Sequence, residues 1–137
     1  MAGVVLDASL VSAWCFSDEH TDYTRAVLHA VSSSLVDAVA PTLFAYEIRN
    51  SVLMALRRGR ISKTDAEQFL ISLDEMGVRL IEAPSYDALF SLAVAHGLTV
   101  YDAAYLGVAM QEGLPLASLD GALVRAAQNA GAQLFLA

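Results

Sequence analysis

Short, mostly apolar runs alternate with helix-length segments along nearly the whole chain, and this alternation restricts the fold more than any other feature. Residues 3–6, 37–40, 78–81 and 116–119 predict buried strands, with a final one at 133–136. Between them the pattern predicts helices over 8–16, from 18–22 to about 31, and to 58 from a cap at Thr42. Further helices are expected from a cap at Ser62 to about 76, and over 85–96, 102–112 and 120–130. Strands joined through helices need crossover connections, which imply a parallel sheet covered on both faces. The expected fold is therefore a three-layer α/β/α sandwich with a short, mostly parallel central sheet. No repeat, low-complexity tract or Pro/Gly linker divides the sequence, so residues 1–137 read as one domain.

Composition narrows the class. With 137 residues, 56% of them hydrophobic, the chain has enough apolar surface for one core, which excludes intrinsic disorder. Asp, Glu, Arg or Pro breaks every apolar stretch before the ~18 residues of a membrane span. The start, MAGVVLDASL, has no basic region and carries Asp7 within its apolar run, so no signal peptide is expected. Cys15 is the only cysteine, which excludes an internal disulfide and a cysteine-rich zinc site and points to a cytoplasmic protein.

In open parallel sheets, ligands bind outside the carboxyl ends of the strands. Asp7 follows the first predicted strand and Asp120 the fourth, Asp102 starts a helix, and Glu47 lies near the start of another. Like charges ~4 Å apart repel by about 4 kcal/mol at an effective dielectric near 20. Such a cluster would protonate or scatter unless a cation neutralised it. Oxygen donors without a His or Cys cluster favour Mg²⁺ or Mn²⁺, and carboxylate-held Mg²⁺ suits phosphodiester chemistry. Taken singly, however, Asp7, Asp102 and Asp120 each sit where Asp caps a helix, and Glu47 could simply face solvent.

Four blocks carry a more specific signal: Val4-Val5-Leu6-Asp7-Ala8-Ser9, Glu47-Ile48-Arg49-Asn50, Tyr101-Asp102-Ala103-Ala104-Tyr105 and Ser118-Leu119-Asp120. In order and spacing they resemble the PIN-domain family, most closely the VapC-type toxins of bacterial and archaeal toxin–antitoxin pairs. The resemblance covers the whole chain and implies a Mg²⁺-dependent endoribonuclease, with Mn²⁺ as a possible substitute. It implies that Asp7 and Asp102 bind the ion most directly. Glu47 would complete the set or position the attacking water, and Asp120 would act directly or through water. Ser9, Asn50 and Ser118 would orient carboxylates or substrate, Ser118 standing where VapC-type toxins often have Thr. Hydrolysis by water would leave a 5′-phosphate and a 3′-hydroxyl. His20, His29 and His96 lack the spacing of a paired acid and base for attack by the ribose 2′-hydroxyl.

The net charge of −7 argues against a non-specific nucleic-acid binder, but setting aside the four acids leaves −3. Arg49, Arg57, Arg58, Arg60 and Lys63 hold five of the eight basic residues, and 48–64 contains no acid. That stretch is the candidate RNA-contacting surface, although Arg57 and Arg58 also suit a helix C-terminus. The resemblance further implies an antitoxin groove and homodimer contacts on the early helices and the long third helix, with Trp14 as the candidate partner anchor. A phosphoacceptor receiver would need a lysine near its end, and Lys63 is the only one; an aspartyl phosphatase would want Asp-x-Asp where Asp7-Ala8-Ser9 stands. The remaining alternative is a non-catalytic PIN-like module that binds RNA or protein, against which the intact set of four acids argues.

Overall fold

The computed structural model describes residues 2–136. Strand β1 (Gly3–Leu6) is buried along its length, as a strand covered on both faces must be. It pairs in parallel with β2 (Asp37–Pro41) on one side and β4 (Leu116–Ala117) on the other, and β3 (Arg79–Ile81) pairs in parallel with β2. The sheet order is β3-β2-β1-β4.

The connections explain the layers. Helices α1 (Ala8–Trp14) and α2 (Asp22–Ser32) join β1 to β2, and α3 (Phe44–Arg57) and α4 (Lys63–Glu75) join β2 to β3. Helices α5 (Tyr86–His96) and α6 (Val100–Glu112) then lead back across the sheet to β4, and α7 (Gly121–Ala130) follows. Right-handed crossovers place α1–α4 on one face and, once the direction reverses, α5–α7 on the other. Packing agrees: α1 touches α2 and α3, α3 touches α4, and α6 lies on β1 and β2 between α5 and α7. Residues Ala103–Ala109 of α6 are buried without interruption, which suits a helix enclosed on nearly every side. Gly107 lets α5 approach, since a Cβ there would stand 3.1 Å from Leu89 Cδ2. The strand order reverses between β1 and β4, and a crevice at the carboxyl ends of those strands is where this architecture binds ligands.

Several predicted boundaries are corrected. The strand expected over 116–119 stops at Ala117, because the Leu119 and Asp120 N–H groups donate to the hydroxyls of Ser9 and Ser118 instead of to a neighbouring strand. The strand expected over 133–136 shrinks to one parallel bridge between Leu116 and Leu134. Helix α1 ends at Trp14, and α2 starts at Asp22 behind a Thr21–Thr24 capping box. Thr42 does not cap α3, whose N-cap position falls on Leu43 with no side-chain bond. Trp14 is buried, and its indole N–H donates to the Thr24 carbonyl at 2.9 Å, tying α1 to α2.

The two faces of α3 differ sharply in burial: Ile48 is fully enclosed, whereas Leu53 is exposed. Urea unfolding of Ile48→Ala should show a loss of about 2–5 kcal/mol. Leu53→Ala should cost well under that, and equal losses would mean that α3 packs by a different face.

Candidate active site

Asp7 leaves the end of β1 and occupies the N-cap position of α1, yet its side chain makes no cap bond. It is buried instead, 4% exposed, and accepts two hydrogen bonds on the same oxygen: Ser9 Oγ to Oδ2 at 2.5 Å and Ser118 Oγ to Oδ2 at 2.7 Å. A buried carboxylate is costly unless bonded or neutralised, and these hydroxyls provide the bonding. Ser118 also accepts the Asp120 N–H at 3.0 Å, so the turn after β4 is attached to Asp7 through one hydroxyl.

Asp102 does not cap α6. Thr99 does so, accepting the Asp102 N–H at 3.0 Å, and this leaves the Asp102 carboxylate in the first helical turn free of capping duty. Glu47 lies in the first turn of α3 and accepts a hydrogen bond from the Tyr105 hydroxyl at 2.7 Å. Asp120 is a true cap of α7, accepting the Leu123 N–H at 3.0 Å. Its helix-capping role and its place facing Asp7 and Asp102 therefore coexist.

The carboxylates feel one another. Burial is the largest cause raising the Asp7 carboxyl above its ordinary value; the Ser9 and Ser118 bonds oppose it and the Asp120 charge adds to it. Glu47 is raised by burial, with Asp7 and Asp102 adding repulsion against the Tyr105 bond. Asp102 is raised by burial and by the charges of Asp120 and Asp7. Asp7 and Asp102 thus lie within electrostatic reach of each other, of Glu47 and of Asp120 at the carboxyl end of the sheet. As the side chains lie, no three His, Cys, Asp or Glu residues among those described close on a single ion position. The donor set still suits a hard cation in its chemistry, since it is all oxygen and concentrates negative charge.

The other predicted residues are more dispersed. Asn50 is exposed one turn beyond Glu47. Arg49 pairs with Asp74 at 3.2 Å, Lys63 with Glu67 at 3.8 Å, and Arg60 with Asp18 and Glu19 while stacking 4.1 Å from the Phe16 ring. Arg57 and Arg58 are exposed at the end of α3. Trp14 borders a surface cleft of about 450 Å³ with Phe16, Asp18, Arg60, Ile61 and Phe69. Sequence reasoning assigned no role to Thr99 or Tyr105. Thr99 had a readable signal, a Thr three residues before an acid at a helix start. For Tyr105 the signal was weaker: one hydroxyl in an apolar helical run, three residues after Asp102 and so on the same side of α6.

Comparison with known proteins supplies independent findings. The PIN domain family matches residues 4–129. Ribonuclease VapC3 of Pyrobaculum aerophilum is 34% identical over 122 residues, covering 85% of this chain and 88% of that protein. Exonuclease VapC9 of the same organism is 33% identical over 88 residues, covering 64% of this chain and 65% of its own length. The crystal structure of PAE2754 from Pyrobaculum aerophilum superimposes with a TM-score of 0.72 at 26% identity, covering 91% of this chain and 79% of that one.

Carboxyls raised in the folded chain favour the fold while protonated. That stability is present below the ordinary values of 3.8 for Asp and 4.5 for Glu, and it is lost as pH rises through the raised ones. Metal-free protein should therefore lose melting temperature as pH rises from below those ordinary values through the raised ones. Asp7→Asn, neutral throughout, should lose less over the same range. An equal or steeper loss in the variant would show that Asp7 carries no such penalty.

Proposed function

Because the chain belongs to the PIN-domain family, in its VapC-type branch, we propose that it is a Mg²⁺-dependent endoribonuclease. Mn²⁺ would serve as a substitute, and the chain would be the toxin of a VapBC-type toxin–antitoxin pair. The observation that supports this most is the buried Asp7 carboxylate, held on one oxygen by two hydroxyls and facing Glu47, Asp102 and Asp120. A site that concentrates negative charge at a cost to stability needs a cation to complete it.

The ion, when bound, supplies a water of lowered pKa and polarises the phosphate. Asp7 and Asp102 offer it their oxygens most directly. Glu47 completes the set or orients the attacking water, and Asp120 contributes directly or through water. Ser9 and Ser118 hold Asp7 in one orientation, and Asn50 lies where it can reach substrate at the rim. Water as the nucleophile leaves a 5′-phosphate and a 3′-hydroxyl, and no histidine pair is needed. Arg57 and Arg58 are the foremost phosphate contacts in the basic stretch. Arg49, Arg60 and Lys63 reach RNA by exchanging exposed ion pairs, which are individually weak.

The cleft beside Trp14 and Phe16 supports an antitoxin site on this face, with the exposed edge of the aromatic pair as the contact rather than the whole Trp14 ring. Tyr86, Phe90 and Val94 recur every fourth residue on α5 and are all exposed, which supports a homodimer contact there. No single helix among the described residues is long and apolar enough to cross a membrane, and the cytoplasm is the proposed location.

The deciding experiment is cleavage of a labelled, structured RNA pool with Mg²⁺ or Mn²⁺, with EDTA, and with Asp102→Asn. Internal cuts with 5′-phosphate ends, seen only for wild type with metal, are expected. Stepwise shortening from an end would replace the endonuclease by an exonuclease. RNA retained without cleavage, and unaffected by EDTA or Asp102→Asn, would establish a non-catalytic binding module. For the assembly, Phe90→Glu should halve the mass measured by light scattering; an unchanged mass would exclude α5 as the dimer contact.

A further inference from the structure

Tyr105 heads the fully buried side chains by volume, and its ring belongs to the central core. A phenylalanine would fill the same space, so packing does not require the oxygen. That oxygen is directed at Glu47: the hydroxyl donates to Oε1 at 2.7 Å, across 58 residues of sequence and between two helices on opposite faces of the sheet. Tyr105 also lies one turn after Asp102 on α6, so one helix supplies both an acid of the site and the hydroxyl that restrains another.

Asp7 repeats the pattern. Ser9 and Ser118 both donate to Oδ2, so hydroxyl groups of the protein occupy one oxygen of this carboxylate as well. In Asp7 and Glu47 alike, the side-chain hydroxyls that restrain the carboxylate all fall on a single oxygen. This matters for the choice of ion. Ca²⁺ takes six to eight oxygens and accepts carboxylates through both oxygens at once, whereas Mg²⁺ demands a tight octahedron and retains water. A hydrogen bond on one carboxylate oxygen weakens that oxygen as a donor and favours binding through the other.

We propose that Tyr105 is a positioning residue whose hydroxyl restrains Glu47 through Oε1, so that Glu47 meets a divalent ion chiefly through Oε2 and the site disfavours Ca²⁺. The inference rests on the metal-dependent nuclease reading above and extends it from the acids to the group that restrains one of them.

The test reads ion binding directly. Free Mn²⁺ is followed by electron paramagnetic resonance in titrations of the full chain, with and without Ca²⁺ as competitor. The proteins are wild type, Tyr105→Phe, Glu47→Gln and the double variant, each melted without metal to check its fold. Tyr105→Phe should retain the fold, weaken Mn²⁺ binding about tenfold and let Ca²⁺ compete better. In the Glu47→Gln background the same change should add little, because the two residues act as one unit. Unchanged Mn²⁺ affinity in Tyr105→Phe would overturn the proposal, as would a full further loss in the double variant. Wild-type affinity in Glu47→Gln would overturn it whatever Tyr105→Phe does. Wild-type protein that binds no Mn²⁺ would remove the metal reading and this inference with it, whereas a metal-binding wild type matched by Tyr105→Phe removes only the role of Tyr105.

Discussion

A carboxylate buried at the end of the central strand is the constraint around which this molecule is arranged. Asp7 cannot stay there without hydrogen bonds, and the groups that satisfy it come from opposite ends of the chain: Ser9 from the first turn of α1 and Ser118 from just beyond β4. Both hydroxyls also accept backbone N–H groups of the segment after β4, Ser9 from Leu119 and Ser118 from Asp120. Those bonds take the chain out of the sheet after only two residues and start α7 with Asp120 as its cap. One buried group therefore sets the length of a strand, the entry of a helix and the position of a second acid.

The site acids work against stability and the core works for it. Burial and mutual repulsion raise Asp7, Glu47 and Asp102, a cost that the hydroxyl bonds reduce without removing. Around them lies one connected core of the β1 and β2 residues with α6 and the inner faces of α1 and α3. A site of this kind trades stability for function. The reversal of strand order between β1 and β4 marks the end of the sheet at which this architecture binds ligands, and both layers of helices contribute carboxylates there.

Much of this was legible in the sequence. The strand–helix alternation predicted the layers and the parallel sheet, because periodicity and helix stops are local signals. The four candidate acids were picked out from their positions after strands and at helix starts, and the fold brings Asp7 and Asp102 within electrostatic reach of Glu47 and Asp120. What local signals missed were competitions between backbone and side-chain partners. Residues 118–119 look like strand, but serine hydroxyls take the donors that a strand would need. Asp102 looks like a cap, but Thr99 three residues earlier takes that position. The basic stretch is free of acid in sequence, yet Asp74, Asp18 and Glu19 fold against Arg49 and Arg60.

The sequence by itself determined the class of fold and the order of its elements, and it singled out the candidate acids, since each depends on neighbours within a few turns of chain. Tertiary structure alone decided which oxygen of Asp7 and of Glu47 is restrained, that Trp14 is buried against Thr24 while bordering a cleft, and that Tyr105 reaches Glu47. The physical reason is separation along the chain. The Ser118–Asp7 and Tyr105–Glu47 bonds span 111 and 58 residues, and a hydrogen bond acts only over the ångströms to which packing brings its partners.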